Sequence, residues 1–403
     1  MHVLYVTPYF TVSSRQFLAS LSEQPGIRLA VAAQEDLAVL PEALRRRVSR
    51  FERVDSAMRG ADVVAAARRV AAADGRLDRI VGPMEQVQES VAEAREALDV
   101  PGMRLRQALN FRDKNRMKDL MRKAGLPVAR FRQAGHVDEA LAFARECGFP
   151  VVVKPPAGAA SQETFRAHDE ETLRAAFEAS SRAGGGAALL EEFVTGSEHS
   201  YDAFVVDGKV RWYSLSDYLP NCLDAMRNPW IQWCVLLRRD YEAADIAEAG
   251  QRMLNALGLE NGMCHGEWFR RKDGSVVISE AGARPGGAML TTLISRAHDV
   301  DCVGAYARLV TAGQYDPFPP RKYAAGAAFV RGQGSGRVRA VHGVEQVRRD
   351  LGAMITDERL PAPGHEKSRS YEGEGVLCVR HADTKTVEDA LQHIIKTVRV
   401  ELG

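Results

Sequence analysis

The sequence predicts two fold classes in series, α/β at the N-terminal end and α+β beyond. Three observations predict it. Residues 1 to about 110 alternate short apolar strands with helical stretches, the rhythm of a parallel sheet with crossover helices. The segment from Gly262 to Gly287 reads as a β-hairpin, which joins antiparallel strands. Tyr315-Asp-Pro-Phe-Pro-Pro320 then marks a boundary before a last stretch with strands and a helix of its own. At 403 residues and 45% hydrophobic, the chain has the length and apolar content for two or three globular domains.

The elements follow in order. Val3–Val6, Ile27–Ala33 and Arg79–Val81 read as strands, with helices beginning near Ser14, Pro41 and Glu85. This rhythm is Rossmann-like. Thr7-Pro8-Tyr9-Phe10 stands after the first strand, however, where a dinucleotide site carries Gly-x-Gly-x-x-Gly, which argues against a nicotinamide oxidoreductase. Val100-Pro101-Gly102 is an exit loop. Asp113 opens a helix with the apolar stripe Met117, Leu120, Met121 and Ala124, stopped by Gly125 and Pro127. Then come a helix (Val137–Cys147), a strand (Val151–Lys154), a small-residue turn (Pro155–Gln162), a helix from Asp169 and a strand ending in Glu191-Glu192. The glycine run 184–186 reads as a surface connection. Strands at Ala324–Arg331 and Gly375–Arg380 and a closing helix from Thr386 make a smaller α+β unit. The domains are therefore expected at 1–110, 111–310 and 311–403.

Composition narrows the partners. Lys plus Arg number 54 against 53 acidic residues, which gives no support for nucleic acid or membrane as the main partner. No apolar run approaches a membrane span. The first residues read as a strand and not as a signal peptide. Six scattered cysteines without Cys-x-x-Cys fit reduced, mostly buried thiols of a cytoplasmic protein, and argue against structural zinc.

The hairpin carries the most chemistry. Asp273-Gly274 suits a two-residue type I′ turn, in which both central residues take positive φ. That register pairs Lys272 with Ser275, Phe269 with Ile278 and Glu267 with Glu280. Opposed residues lie roughly 4.5–5.5 Å apart at Cβ, so the two carboxylates repel unless a cation sits between them. Hard oxygen ligands of this kind suit Mg²⁺ together with substrate phosphates. His265 falls opposite Gly282, and Arg284 lies two residues beyond. The plain alternative is a solvated hairpin whose acidic pair is an accident, or a turn of another length that breaks the register.

Other residues stand out by position. Lys154 ends a fully apolar strand, a place that calls for an anion. Lys114 lies at the edge of its helix's apolar stripe near Lys118 and Met121; a lysine at a helix start is otherwise simply solvated. Ser161 sits in the small-residue turn, as a phosphate contact or as a turn hydroxyl. The strand Ala187–Val194 runs into Glu191 and Glu192, and its end can present backbone groups to adenine. Glu198, read alone, belongs to an exposed acidic loop. Trp212, Trp230 and Trp233, with Tyr213 and Tyr218, are either core or an apolar wall for a substrate.

Over about residues 113–290 these motifs, in this order, resemble the ATP-grasp superfamily. The resemblance implies an ATP-grasp fold with an N-terminal Rossmann-like (pre-ATP-grasp) domain and a small C-terminal α+β domain. It implies ATP and Mg²⁺, with Mn²⁺ as a substitute, as cofactors. Lys114 and Lys154 match the phosphate lysines, and Ser161 is the side chain of the turn placed to touch a phosphate. Glu191 and the backbone from Glu192 to Val194 match the adenine hinge, and Glu198 the ribose contact. Glu267 and Glu280 match the metal ligands, and Arg284 the arginine of a Glu-x-Asn-x-Arg run. Gly282 stands where that run has asparagine; His265 either takes the vacated space or is hydrogen-bonded within the sheet. The layout looks most like L-amino-acid ligases, which phosphorylate a carboxylate, with Lys154 and Arg284 neutralising the moving phosphoryl group, and join it to an amine with release of ADP and phosphate. Small-molecule carboxylate and amine are then the partners, and a homodimer is allowed. A biotin carboxylase-like enzyme acting on bicarbonate and a non-catalytic ATP-binding regulatory protein are the competing readings; Gly282 is the best support for the second.

Overall fold

A computed structural model describes residues 1–157, 163–228, 230–240 and 243–403. Ser161 and most of the turn around it lie outside the described residues.

The N-terminal sheet is parallel, of order β3-β2-β1-β4: β1 (His2–Thr7), β2 (Arg28–Ala33), β3 (Val48–Arg53) and β4 (Arg79–Val81). Val3 to Val6 are wholly buried, as expected of a parallel strand covered on both faces. The three apolar strands lie where the sequence puts them. The edge strand β3, Val-Ser-Arg-Phe-Glu-Arg, escapes the reading because it carries no apolar run. So does the helix Gly60–Asp74, whose buried face is Gly60, Val63, Ala66, Ala67 and Val70.

A second, antiparallel sheet has the order β5-β8-β6-β7: β5 (Phe131–Ala134), β6 (Val151–Lys154), β7 (Phe165–Ala167) and β8 (Ala188–Glu192). Helices Val137–Cys147 and Glu170–Ala183 pack on it. Asp169 caps the second of these, accepting from the Thr172 N–H at 2.8 Å.

The largest sheet draws on the rest of the chain: β9 (Ser197–Val206), β10 (Lys209–Leu219), β11 (Trp233–Leu237), β12 (Gly262–Arg270), β13 (Val276–Gly282), β14 (Ala324–Val330), then, past the separate strand β15 (Val338–His342), β16 (Ile355–Arg359) and β17 (Gly375–His381). Its order is β13-β12-β9-β10-β11-β14-β17-β16. The strands after residue 310 thus extend the sheet that carries the hairpin, so a division at 310 cuts the chain but not the sheet. The helix Thr384–Thr397 is not the close of the chain: β18 (Arg399–Leu402) follows it and pairs with β15. One core cluster runs from Tyr5 and Phe17 through Trp233 to Ala325 and Cys378, joining all three stretches.

The hairpin turn differs from the predicted one. Arg271 N–H donates to Ser275 O at 2.9 Å and Gly274 N–H to Arg271 O at 3.0 Å. Gly274 has a φ of +84°, while Asp273 is not left-handed. This is a three-residue loop with glycine in the left-handed position, not a type I′ turn. Phe269 therefore faces Val277, not Ile278. An extra residue on β13, Ser279, then restores the register, so that Glu267 faces Glu280 and His265 faces Gly282. Two one-residue errors in the sequence reading cancel at the glutamates.

Candidate active site

The second sheet and the large sheet face each other across a cleft. Its walls include Val152 and Lys154 of β6, Glu191 of β8, and Glu267, Phe269, Val277 and Glu280 of the hairpin. Strand alternation explains Lys154: Val151 and Val153 enter the core, so Val152 and Lys154 face the cleft. Asp113 caps its helix by accepting from Arg116 N–H at 3.0 Å, which sets Lys114 and Lys118 one turn apart on one side.

These lysines interleave with carboxylates. Lys154 Nζ lies 2.9 Å from Glu191 Oε1 and 3.8 Å from Glu280 Oε2. Lys118 Nζ lies 3.2 Å from Glu191 Oε1 and donates to Ser279 O at 2.9 Å. Lys114 Nζ lies 3.1 Å from Glu280 Oε2. Burial alone would raise the pKa of Glu280, but Lys114 and Lys154 outweigh it and hold the carboxyl at about 2. Burial lowers the pKa of Lys118 even beside Glu191. Lys154 goes the other way: burial disfavours its charge, yet Glu191 and Glu280 raise its pKa.

Across the cleft the balance reverses. Glu198 is not in an exposed loop: it sits on β9, 6% exposed, and accepts from the Cys222 N–H at 2.6 Å. Burial first, and then the Glu267 carboxylate, push its carboxyl up to about 8. Negative charge is thus in excess where Glu198, Glu267 and Glu280 converge. Among the described residues no three acidic, histidine or cysteine side chains form a ready-made metal cage. Two facing carboxylates with surplus charge nevertheless fit Mg²⁺, which keeps waters and takes phosphate oxygens as its other ligands.

A second cavity adjoins the cleft and shares Lys114, Glu267 and Glu280 with it. His265 and Arg284 line it. His265 does not take the space left at Gly282. Its Nδ1 bonds Asp202 Oδ1 at 2.8 Å, against Gly286, and its Nε2 lies 3.7 Å from Glu267 Oε1. Burial disfavours its charged form, but Asp202 raises its pKa to about 9. The space at Gly282 holds Glu85, from the loop after β4. Glu85 Oε2 accepts from Arg284 Nε at 2.6 Å and Oε1 from Arg112 Nη1 at 2.7 Å.

The remaining expected residues divide. Glu192 and Val194 line the cleft, but the Glu192 carboxylate turns to Arg271 and Arg130. Glu191 contributes a carboxylate to two lysines, a role beyond the adenine hinge. The aromatic stretch is mainly not a substrate wall: Trp233 is buried among Tyr218, Phe329 and Tyr371, Trp212 packs on Phe318, and Trp230 is 63% exposed at a distant surface. Of the five, Tyr218 reaches the second cavity. Sequence reasoning gave no role to Lys118, Glu85, Arg112 or Asp202. A second lysine one turn after Lys114 was a usable signal for the first; the others are brought in by tertiary structure alone.

This geometry, two sheets gripping a lysine- and glutamate-lined cleft, is the ATP-grasp arrangement, and the chain has an ATP-grasp fold. Residues 112–222 match the family described as phosphoribosylglycinamide synthetase, ATP-grasp (A) domain. The chain is 25% identical over 232 residues to an L-arginine-specific L-amino acid ligase of Bacillus subtilis, covering 56% of each chain. It is 31% identical over 132 residues to a phosphoribosylamine–glycine ligase of Lactococcus lactis, 32% of each. The matches thus span about half, or less, of these relatives' length. In fold it is similar to the crystal structure of an L-amino acid ligase from Bacillus licheniformis, with a TM-score of 0.81, 18% identity, and coverage of 100% of this chain and 98% of that one.

Proposed function

We propose that the protein is an ATP-dependent carboxylate–amine ligase that forms an acyl phosphate, joins it to an amine, and releases ADP and phosphate. One observation carries this reading: Lys114, Glu267 and Glu280 stand at the junction of the nucleotide cleft and the second cavity, with Arg284 on the cavity side. A γ-phosphate held by the lysines would point at whatever the cavity holds.

The chain's own part is positioning and charge. Lys114 and Lys154 exchange their carboxylate partners for phosphate oxygens. Arg284 faces the charge that develops on the migrating group. The apolar walls Val152, Phe269, Val277 and Leu223 suit adenine, with the backbone of 192–194 at its edge and Glu198 toward the ribose. Mg²⁺, held by Glu267 and Glu280, would neutralise and align the phosphates; Mn²⁺ is the substitute we would test. No covalent nucleophile is needed: all six cysteines are free and five are buried, which also supports a cytoplasmic protein.

The second cavity, of about 290 Å³, supports an organic acid over bicarbonate. It is lined by Phe17, Met84, Phe111 and Leu290, and by the carboxyl of Glu372. Burial raises the pKa of Glu372, against the opposing pull of Arg359 and a hydrogen bond from the Ala288 backbone. A ligand's ammonium or other basic group at this buried carboxyl would add a charge partner, which favours an amino acid. A relative specific for L-arginine places basic amino acids first in a substrate panel.

The test is ADP release and hydroxamate formation with hydroxylamine over that panel. ADP, phosphate and hydroxamate are expected. AMP and pyrophosphate would indicate adenylation and overturn the reading. Nucleotide binding with no turnover on any acid would favour the regulatory alternative.

A further inference from the structure

Gly282 sits in β13, and its φ is not left-handed, so the backbone does not require glycine there. Space does. A Cβ on residue 282 would fall 2.8 Å from Glu85 Oε2 and 3.5 Å from Arg284 Cγ. The asparagine of the Glu-x-Asn-x-Arg pattern would therefore displace the Glu85 carboxylate. Glu85 in turn is held by Arg112 Nη1 at 2.7 Å and holds Arg284 Nε at 2.6 Å, while Arg284 Nη1 donates to Pro285 O at 2.8 Å. Glu85 and Arg112 are each only 12% exposed in their side chains. Two of the three nitrogens of the Arg284 guanidinium are thus fixed, which orients the group along the cavity it lines.

We propose that Glu85 is the positioning residue for Arg284, and that Gly282 is bare to admit it. Glu85 arrives from the loop after the C-terminal end of the parallel strand β4, where open α/β sheets place ligand-facing groups. Gly282 then marks a site whose arginine is braced from the N-terminal domain, not a site that has decayed. What Arg284 faces rests on the ligase reading; the pairing of positions 85 and 282 does not.

The experiment is a double-mutant cycle of Gly282→Asn and Glu85→Ala, with Glu85→Gln as the variant that keeps the shape. The amide introduced by Glu85→Gln can accept from one guanidinium but must turn its NH₂ toward the other. Calorimetry measures ADP affinity in Mg²⁺, then the affinity of inorganic phosphate for the ADP-saturated protein. Each single variant should weaken phosphate binding about tenfold, the worth of one charge-assisted contact, and leave ADP binding unchanged. The double variant should bind phosphate no worse than Glu85→Ala, because the asparagine then has no carboxylate to displace. A merely structural role would lower the melting temperature without touching phosphate affinity. Phosphate binding in Gly282→Asn equal to or tighter than wild type, additive losses in the double variant, or a wild-type ADP complex that binds no phosphate each overturns the proposal. Failure of the ligase reading shows separately, as a wild-type protein that yields no hydroxamate.

Discussion

The nucleotide cleft and the adjoining cavity share three residues but balance their charges in opposite ways. The cleft lysines Lys114 and Lys154, and Lys118 buried behind them, each lie against a carboxylate of the same 114–280 stretch: Lys118 and Lys154 on Glu191, and Lys114 on Glu280. The cleft holds its shape with internal counter-charges that an anionic ligand then displaces. The cavity is assembled from distant segments, Phe17 and Glu85 at one end of the chain and Tyr371 and Glu372 at the other. It presents the Glu372 carboxyl, whose charge burial disfavours, along its lining. On the proposed reading the cleft is a preformed anion site, and the cavity is where specificity for the acid would reside.

The strongest test of that contrast is the residue both regions share. Glu280→Gln should lower turnover by on the order of 10²–10³, the loss seen when one preorganised electrostatic group is removed. It should also lower the melting temperature of the unliganded protein. Relief of repulsion from Glu267 is outweighed by the loss of the Lys114 and Lys154 contacts. Hydroxamate assays and thermal melts check both. Near-wild-type turnover at saturating Mg²⁺ would show that the regions do not meet at Glu280.

Lys154→Met should act on the cleft alone. Losing its charge-assisted contact costs about 1.5–3 kcal/mol, more than tenfold in ATP affinity. Binding of an acid substrate to the ADP complex should be unchanged. Weakening of both by equal factors would mean that cleft and cavity are one site.

The same contrast decides what was legible in the sequence. Lys154, Glu267 and Glu280 announce themselves because each breaks a local pattern: a lysine ends an apolar strand, two glutamates oppose each other in a hairpin. Their order along the chain then gave the fold. Even so, the facing glutamates were found through a turn one residue too short, corrected by the Ser279 bulge. Glu85 and Glu372 on the cavity side break no pattern. Glu85 reads as an ordinary helix start, because nothing within a few residues of it shows that Arg112 and Arg284 will close on it. Glu198 looked exposed because its burial comes from neighbouring strands. The aromatic stretch, open in sequence between core and substrate wall, is mainly core packing in space, with Trp230 exposed.

A smaller effect separates the two sides by pH. Glu198 keeps its proton in the folded chain up to about 8, whereas the unfolded chain releases it in the ordinary carboxyl range. Between those values the folded state binds the extra proton, so its stability falls as pH rises. Glu280, held at about 2, behaves oppositely: its contribution is full above the ordinary carboxyl range and is lost as pH falls toward 2. Melting temperatures of the unliganded protein should therefore decline at both ends. Glu198→Gln should remove the part of the decline that lies between the ordinary carboxyl range and about 8 and leave the acid limb, while His265, raised to about 9 by Asp202, keeps its own decline above the ordinary imidazole range. Mg²⁺, by favouring ionised Glu198, should also flatten the alkaline limb. A decline between the ordinary carboxyl and imidazole ranges that is unchanged in Glu198→Gln would remove the charge excess from that side of the cleft.

The smallest effects concern the aromatic stretch. Trp230 is 63% exposed and lines neither the cleft nor the cavity, whereas Tyr218 lines the cavity and packs on Trp233 at 5.3 Å. Trp230→Ala should leave kcat and KM unchanged and stability within about 0.5 kcal/mol, as for an exposed position without partners in a core. Tyr218→Phe keeps the ring and its packing and removes only the hydroxyl. It should change the KM of the acid or the amine by a few-fold, about 0.5–1.5 kcal/mol for one neutral hydrogen bond, without changing nucleotide affinity. Kinetics on the pair settle which aromatic belongs to the substrate. If Trp230→Ala changed KM and Tyr218→Phe did not, the cavity would not be the substrate site, and the division between a preformed cleft and a specificity cavity would fail with it.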